Sequence, residues 1–391
     1  MIRLAVVGLG KMGLSHLSIV RPHPDVDLVG ICDSTGYLLD VLGKYTGLTA
    51  YDDYDTLLSD AAPDAVIIAT PTHMHASMVR RALERGVHVF CEKPFVLDPD
   101  EGEALADLAA ERGLVTQVGY HNHFVGSFHE VKRLVDGGAI GTVIGGLAEA
   151  YGPVVLKPAG RTWRSSLSTG GGALYDYAAH PLDLLMWYLG EPEQVVGRTT
   201  SAFSREIDDT VAATLHYPGA SVQLNVNWSD ESQRKMATKI TLWGTQGRVY
   251  ADRQELQLYL RDQATPPDGY RTGWNVRYTT ELTPAPYFYV RGEEYSEQLD
   301  EFVRRVSNGD VEGANDFRSA LRTDRVIAAI RASNSAAGTA LQTNRAALGQ
   351  TTTTDPGPVQ AALERAVATG CDLGRQATTS AKQLVKRWRS S

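Results

Sequence analysis

Short apolar runs and longer amphipathic stretches alternate along the first 120 residues. Leu4–Val7, Leu28–Cys32, Ala65–Ala69, Val87–Cys91 and Val115–Val118 are brief and rich in Val and Ile. Between them apolar residues recur three and four apart, as in Met78, Ala82 and Leu83, or Ala104, Leu108 and Ala109. Continuously apolar strands separated by helices predict βαβ units around a parallel sheet covered on both faces. Gly86 and Gly113 stand where such helices should end.

The rhythm changes after residue 122. A helix is predicted over Ser127–Asp136, stopped by Gly137 and Gly138. Strict alternation in Val222–Trp228 and Leu256–Leu260 marks strands with one buried face, the pattern of an antiparallel sheet. Helical spacing returns at Tyr295–Val306 and Leu321–Ile330. The expected fold class is α/β, a doubly wound parallel sheet followed by an α+β domain, with boundaries at 1–122 and 123–345. From 346 to 391 a Thr- and Pro-rich linker leads to a weak apolar stripe at Val359, Leu363 and Val367, then to Lys382, Lys386, Arg387 and Arg389.

Composition narrows the function. The formal charge of −8 over 391 residues argues against nucleic-acid binding, which needs clustered cations. The charge is uneven: residues 350–391 hold six basic and three acidic side chains, which leaves 1–349 at −11. Interest in anionic partners therefore belongs to the tail. Three cysteines without a CxxC spacing suggest neither a disulfide framework nor a zinc site, and Cys32 and Cys91 read as buried strand thiols. The apolar runs fall short of the roughly 20 residues of a membrane span, and Gly8 and Lys11 break any leader-like run, so a cytoplasmic protein is expected.

The chemistry begins at Gly8-Leu9-Gly10-Lys11-Met12-Gly13, directly after the first strand. Gly8 permits a tight turn, Gly10 lets backbone approach a pyrophosphate, and Gly13 lets helix pack on strand. The helix N-terminus then offers free N–H groups to phosphate. Asp33 ends the second strand, where a carboxylate accepts from ribose hydroxyls and repels a 2′-phosphate. The pair predicts binding of NAD rather than NADP.

Three later segments fall at strand ends or glycine turns. Thr70-Pro71-Thr72-His73-Met74-His75 follows the strand ending at Ala69, and Cys91-Glu92-Lys93-Pro94 ends the next. His73 and His75 lack a third ligand at a convincing spacing, so no metal is expected. Lys93 taken alone is a surface lysine; at the carboxyl edge of a parallel sheet its ammonium could stabilise a developing alkoxide. In Gly170-Gly171-Gly172-Ala173-Leu174-Tyr175-Asp176-Tyr177-Ala178-Ala179-His180-Pro181 the helical spacing would put Asp176 and His180 on one face, a base beside a carboxylate, although Pro181 disturbs that helix.

These segments, with HVFCEKP and VGYHNHF, resemble the Gfo/Idh/MocA oxidoreductases in order and spacing from about residue 1 to 345. The resemblance implies an N-terminal Rossmann domain for NAD and a C-terminal domain with a large, mainly antiparallel sheet that joins copies into a dimer or tetramer. It implies Lys93, Asp176 and His180 as the catalytic set, with Thr70, Pro71, His75, Glu92 and Lys93 beside the cofactor. Tyr120, His121, His123, Trp163 and Arg164 would line a pocket for a sugar, cyclitol or sugar derivative oxidised at a secondary hydroxyl. His123 departs from the family, which usually has Arg there, and so leaves the substrate's charge open. Two other activities stay compatible with the resemblance: an NAD-dependent glycosidase working by oxidation, elimination and reduction, and a non-catalytic dinucleotide-binding regulator.

Overall fold

The apolar runs of the first 118 residues form strands β1 (Ile2–Val7), β2 (Val26–Cys32), β3 (Ala50–Tyr51), β4 (Ala65–Ile68), β5 (His88–Cys91) and β6 (Thr116–Val118). All pair in parallel, in the order β3-β2-β1-β4-β5-β6. This is the doubly wound order, whose reversal beside β1 opens a crevice at the carboxyl ends of the strands. The computed structural model describes all residues except 157–165, 205, 285–287, 289–292 and 348–391. Both sheets lie within Met1–Ala337, one compact unit; Gly338–Ser391 is a second, and most of the expected linker and tail lies outside the described residues.

Side-chain alternation explains why these strands need cover on both faces. Leu4, Val6, Ala65, Ile67 and Phe90 point into one core, while Ala5, Val7, Val66, Ile68, Val89 and Cys91 point into the other. Helix α1 (Lys11–Val20) covers the first core. Helices α2 (Gly36–Thr46) and α3 (Tyr54–Asp60) flank β3, a two-residue strand too short to leave an apolar run. Helices α4 (His75–Glu84) and α5 (Pro99–Glu111) cover the second core. On α5 the buried stripe is Gly102, Leu105, Ala106 and Ala109, one residue off the expected one, and Ala104 is exposed. Gly86 and Gly113 have φ of +75° and +62° just past these helices, as expected of C-terminal caps.

The chain then crosses helix α6 (Gly126–Asp136) into an eight-stranded sheet. Its strands are β7 (Val143–Tyr151), β8 (Gln194–Thr200), β9 (Thr210–Tyr217), β10 (Ala220–Asn227), β11 (Ala237–Gly244), β12 (Gly247–Ala251), β13 (Glu255–Leu260) and β14 (Gly273–Tyr278), in the order β14-β13-β12-β11-β7-β10-β9-β8. Every pair is antiparallel except β7 with β10. Val222, Leu224 and Val226, with Leu256, Leu258 and Leu260, face a core shared with α6 and helix α7 (Ala179–Leu189). Among the described residues, no helix of the apolar core packs on the opposite face. There Trp243, Tyr259, Trp274, Val276 and Tyr278 are exposed.

After the short helix α8 (Thr279–Leu282), two helices return to the first sheet, so packing does not follow the expected contiguous boundary at 122. Leu299, Phe302 and Val303 of α9 (Glu293–Asn308) enter the core beneath β1 and β4, with Phe302 edge-on to Phe90 at 5.9 Å. Helix α10 (Phe317–Ala347) places Phe317 in a stack on Phe95 at 4.1 Å. Arg305, 1% exposed, donates to the carbonyls of Thr116, Asp310 and Val311, which satisfies its buried guanidinium. Phe302→Ala would open a cavity in a core that contains β1, and it should destabilise the protein by about 3–5 kcal/mol. Chemical denaturation checks this; a loss below about 1 kcal/mol would show that α9 is not needed to close the first core.

Candidate active site at the carboxyl edge of the parallel sheet

The glycine turn sits between β1 and α1. A Cβ at Gly13 would collide with the Gly8 carbonyl, so helix and turn can approach this closely only without one. Nothing lies within 4 Å of the position a Gly10 Cβ would take, which leaves open space beside the helix N-terminus. No side chain caps α1 and no acid lies in its first turn, so its N–H groups stay available to an anion. Lys11 is exposed and Met12 half-buried at that end. Asp33 accepts from Leu9 N–H at 2.6 Å and from Thr35 N–H at 2.8 Å. These bonds fix a carboxylate beside the glycine turn, and each oxygen keeps lone-pair capacity for a ribose hydroxyl. The turn, the bare helix end and the fixed acid fit a dinucleotide.

Gly8 is packed against Ala69 and Thr70, so the loop after β4 abuts the same turn. Thr70 and Pro71 are half-buried there. His75, expected beside the cofactor, is instead turned inward. Its Nε2 lies 2.9 Å from the Thr70 carbonyl and its Nδ1 about equally close to those of Pro94 and Phe95, at 3.0 and 3.1 Å. The ring therefore clamps one strand-end loop to the next, and burial holds its pKa below the usual histidine range.

Glu92 is likewise a supporting group. It pairs with His16 on α1 at 2.6 Å, accepts from the Lys93 N–H, and crowds Gly119 after β6. Burial raises its pKa, but His16 and the Lys93 ammonium outweigh that and hold the carboxyl below the ordinary range.

Lys93 follows, and the Lys93–Pro94 bond is cis. Its Nζ donates to Asp176 Oδ1 at 2.8 Å and to the Asp176 carbonyl at 2.9 Å. The strand edge of the first sheet is thereby joined to the glycine-rich segment. That segment is not the α-helix its spacing suggests: Leu174–Ala178 is a π-turn that runs into α7 at Ala179. Pro181 is the third residue of α7, directly after the π-turn, where its missing N–H leaves a carbonyl of that turn without a helical partner. Gly172 has φ +103°, and a Cβ there would strike Asp208, whose carboxylate accepts the Leu174 N–H at 2.7 Å. Gly170 packs on Thr72, which brings this segment over the loop after β4.

His180, 4% exposed, completes the cluster. Burial lowers its pKa well below the usual value, and Lys93, His121 and Arg253 lower it further. It is a neutral imidazole able to take a proton. The His121 ring lies edge-on to it at 5.1 Å and the Tyr120 ring at 6.4 Å. His121 also stacks on Tyr295 at 4.6 Å and accepts from Arg253 at 3.2 Å.

His123 is the predicted pocket residue that the structure sets apart. It is 2% exposed, lies 2.8 Å from Asp183 and stacks on Trp187 at 4.1 Å, so its ring is engaged with two residues of α7. Trp163 and Arg164 lie outside the described residues. His16, Arg253, Glu294 and Tyr295 belong to the cluster but carry no motif. His16 was readable only as the residue one turn beyond Gly13 on the same helix face. His16→Ala would leave Glu92 without its buried partner and should cost about 3–5 kcal/mol by urea unfolding, with His16→Gln recovering most of it. An Ala variant as stable as wild type would show that Glu92 does not depend on this pair.

Residues 2–120 match the family model described as "Oxidoreductase family, NAD-binding Rossmann fold", and residues 128–250 match that of the GFO/IDH/MocA C-terminal domain. The chain is 31% identical to D-glucoside 3-dehydrogenase of Escherichia coli (strain K12), over 49% of this chain and 55% of the relative. It is also 31% identical to scyllo-inositol 2-dehydrogenase (NAD(+)) of Bacillus subtilis (strain 168), over 48% and 54%. The chain thus spans about half the length of each of these relatives. Among solved structures, GenD2 from gentamicin A biosynthesis in complex with NAD aligns with a TM-score of 0.69 at 26% identity, covering 85% of this chain and 94% of that one. With both domain models matched in sequence order, the chain belongs to the Gfo/Idh/MocA oxidoreductase family.

Proposed function

We propose that this chain is an NAD-dependent dehydrogenase acting on a secondary hydroxyl of a sugar, cyclitol or sugar derivative. The observation that carries the reading is the grouping of the Lys93–Asp176 pair with neutral His180 at the strand edge beside the dinucleotide turn. The two relatives named as dehydrogenases of a D-glucoside and of scyllo-inositol support the substrate class. Bound NAD would supply the hydride acceptor. The helix N-terminus after Gly10 would hold its pyrophosphate, and Asp33 its adenosine ribose, which favours NAD over NADP.

In the oxidation direction His180 takes the hydroxyl proton, which its neutral state allows. Lys93 stabilises the oxygen as negative charge develops, and Asp176 holds that ammonium in place. The Tyr120 and His121 rings lie edge-on to His180. His180→Ala should lower kcat by roughly 10²- to 10⁴-fold in a spectrophotometric screen of NAD reduction across inositols, aldoses and sugar acids, with NAD binding retained. Because the lowered pKa keeps His180 unprotonated, wild-type kcat/KM should fall only below about pH 6.5. A variant with near-normal turnover, or a limb above that pH, removes His180 from the role of base.

We further propose that copies of the chain associate through the open face of the eight-stranded sheet. Trp243, Arg248, Tyr259 and Trp274 form a row across four paired strands, and Arg248 lies over the Trp274 ring at 5.9 Å. Val276 and Tyr278 extend the row into an apolar patch. Sedimentation should show an oligomer for wild type and a monomer for the Trp274→Glu/Tyr278→Glu variant; unchanged mass would overturn this assignment.

A further inference from the structure

Arg253 lies on the turn between β12 and β13, about 70 residues in sequence beyond His180. Its Nη1 is 3.2 Å from His121 Nε2, and its Nη2 is ion-paired with Glu294 at the start of α9. A guanidinium can only donate, so Nε2 of His121 must be the accepting nitrogen and the ring proton sits on Nδ1. A protonated His121 would set two cations against each other in a buried place. The ring is held from two further sides, stacked on Tyr295 at an interplanar angle of 19° and edge-on to His180 at 68°.

We propose that Arg253 is a positioning residue of the active site: it fixes His121 as the neutral Nδ1–H tautomer and, through that ring, holds His180 as a free base in its working orientation. The proposal rests on the dehydrogenase reading above. The groups around His180 are consistent with it. Lys93 faces it from the turn after β5, with Asp176 of the π-turn as counter-ion. His121 and Tyr120 face it from the turn after β6. Tyr295 stands behind His121 at the start of α9, with Glu294 beside it and Glu92 close enough to act on its hydroxyl. On α7 itself the next acid, Asp183, is committed to His123. Among the described residues, Arg253 is the charged group in hydrogen-bonding contact with His121.

The test uses the full chain with ¹⁵N-labelled histidine rings and needs no substrate for its first readout. In wild type, His121 should show an unprotonated Nε2 and a protonated Nδ1 between about pH 5.5 and 8. In Arg253→Met that state should be lost, by protonation or by transfer of the proton to Nε2. The acid limb of kcat/KM for oxidation should move up by about half a pH unit or more, because a nearby positive charge is gone. Arg253→Lys keeps both a positive charge and a donor, so the limb and the Nδ1–H tautomer should stay near wild type. If Arg253→Met does not fold, the tautomer of wild-type His121 decides alone. A wild-type His121 protonated at Nε2, or variants that lower kcat equally at every pH with the tautomer unchanged, overturns the proposal. Failure of the dehydrogenase reading would appear separately, as wild-type protein that reduces no NAD with any polyol while the His121 signals still report the lock.

Discussion

The ion pair between Lys93 and Asp176 is the contact on which the geometry of the candidate site depends. It joins the carboxyl edge of the parallel sheet to the π-turn that follows β7 of the second sheet, and its side chains are only 12% and 5% exposed. An isolated ammonium buried to that degree would lose much of its hydration. Here it is compensated twice, by the carboxylate and by the carbonyl of the same residue. That double contact constrains the backbone of Asp176 as well as its side chain. A regular α-helix does not occupy this stretch; the π-turn does, and Asp208 holds its first N–H from below. The irregular geometry of the segment is therefore tied to where its carboxylate and its following histidine must stand.

The supporting groups follow the same logic of buried polar atoms matched across elements. His75 ties the loop after β4 to the turn after β5, and His16 ties α1 to Glu92. Asp324 of α10 accepts the Val96 N–H, and Asn315 donates to the Val118 carbonyl. The bonds of His16, Asp324 and Asn315 join the strand-edge region to elements distant in sequence. A loop that emerges from a sheet edge has few apolar contacts to fix it, so directional hydrogen bonds set its position.

Much of this was legible in the residues, and the omissions have physical reasons. The apolar runs of β1, β4 and β5 are buried on both faces, so they announced themselves without alternation; Val222–Trp228 did the reverse and marked the second sheet. The two residues of β3 left no pattern, and α9 and α10 gave no hint that they return to the first sheet, because amphipathic spacing says that a face is buried but not against what. Lys93 was legible from its place after a strand. The sequence placed His75 in a loop suited to a ligand contact but did not display the three carbonyls that set the direction of its ring. The spacing of Asp176 and His180 suggested one helix face, and the π-turn altered that relation. Arg253 and Tyr295 had no local signature, since each is placed by a fold in which chain segments far apart in sequence converge.

That convergence bears on how a cation-rich pocket keeps a base available. Lys93 and Arg253 both act to depress the basicity of His180 and His121, and burial acts in the same direction. A base of low proton affinity is a weak acceptor in isolation. On the proposed reading it would become adequate because the substrate hydroxyl is itself acidified, with the ammonium of Lys93 stabilising the alkoxide that would form. The pairing of each cation with its own carboxylate, Lys93 with Asp176 and Arg253 with Glu294, limits how strongly the pocket attracts anions. The described residues thus hold fixed dipoles and compensated charges more than net charge. On the proposed dehydrogenase reading, this would suit a neutral polyhydroxylated molecule with one hydroxyl placed between His180 and Lys93.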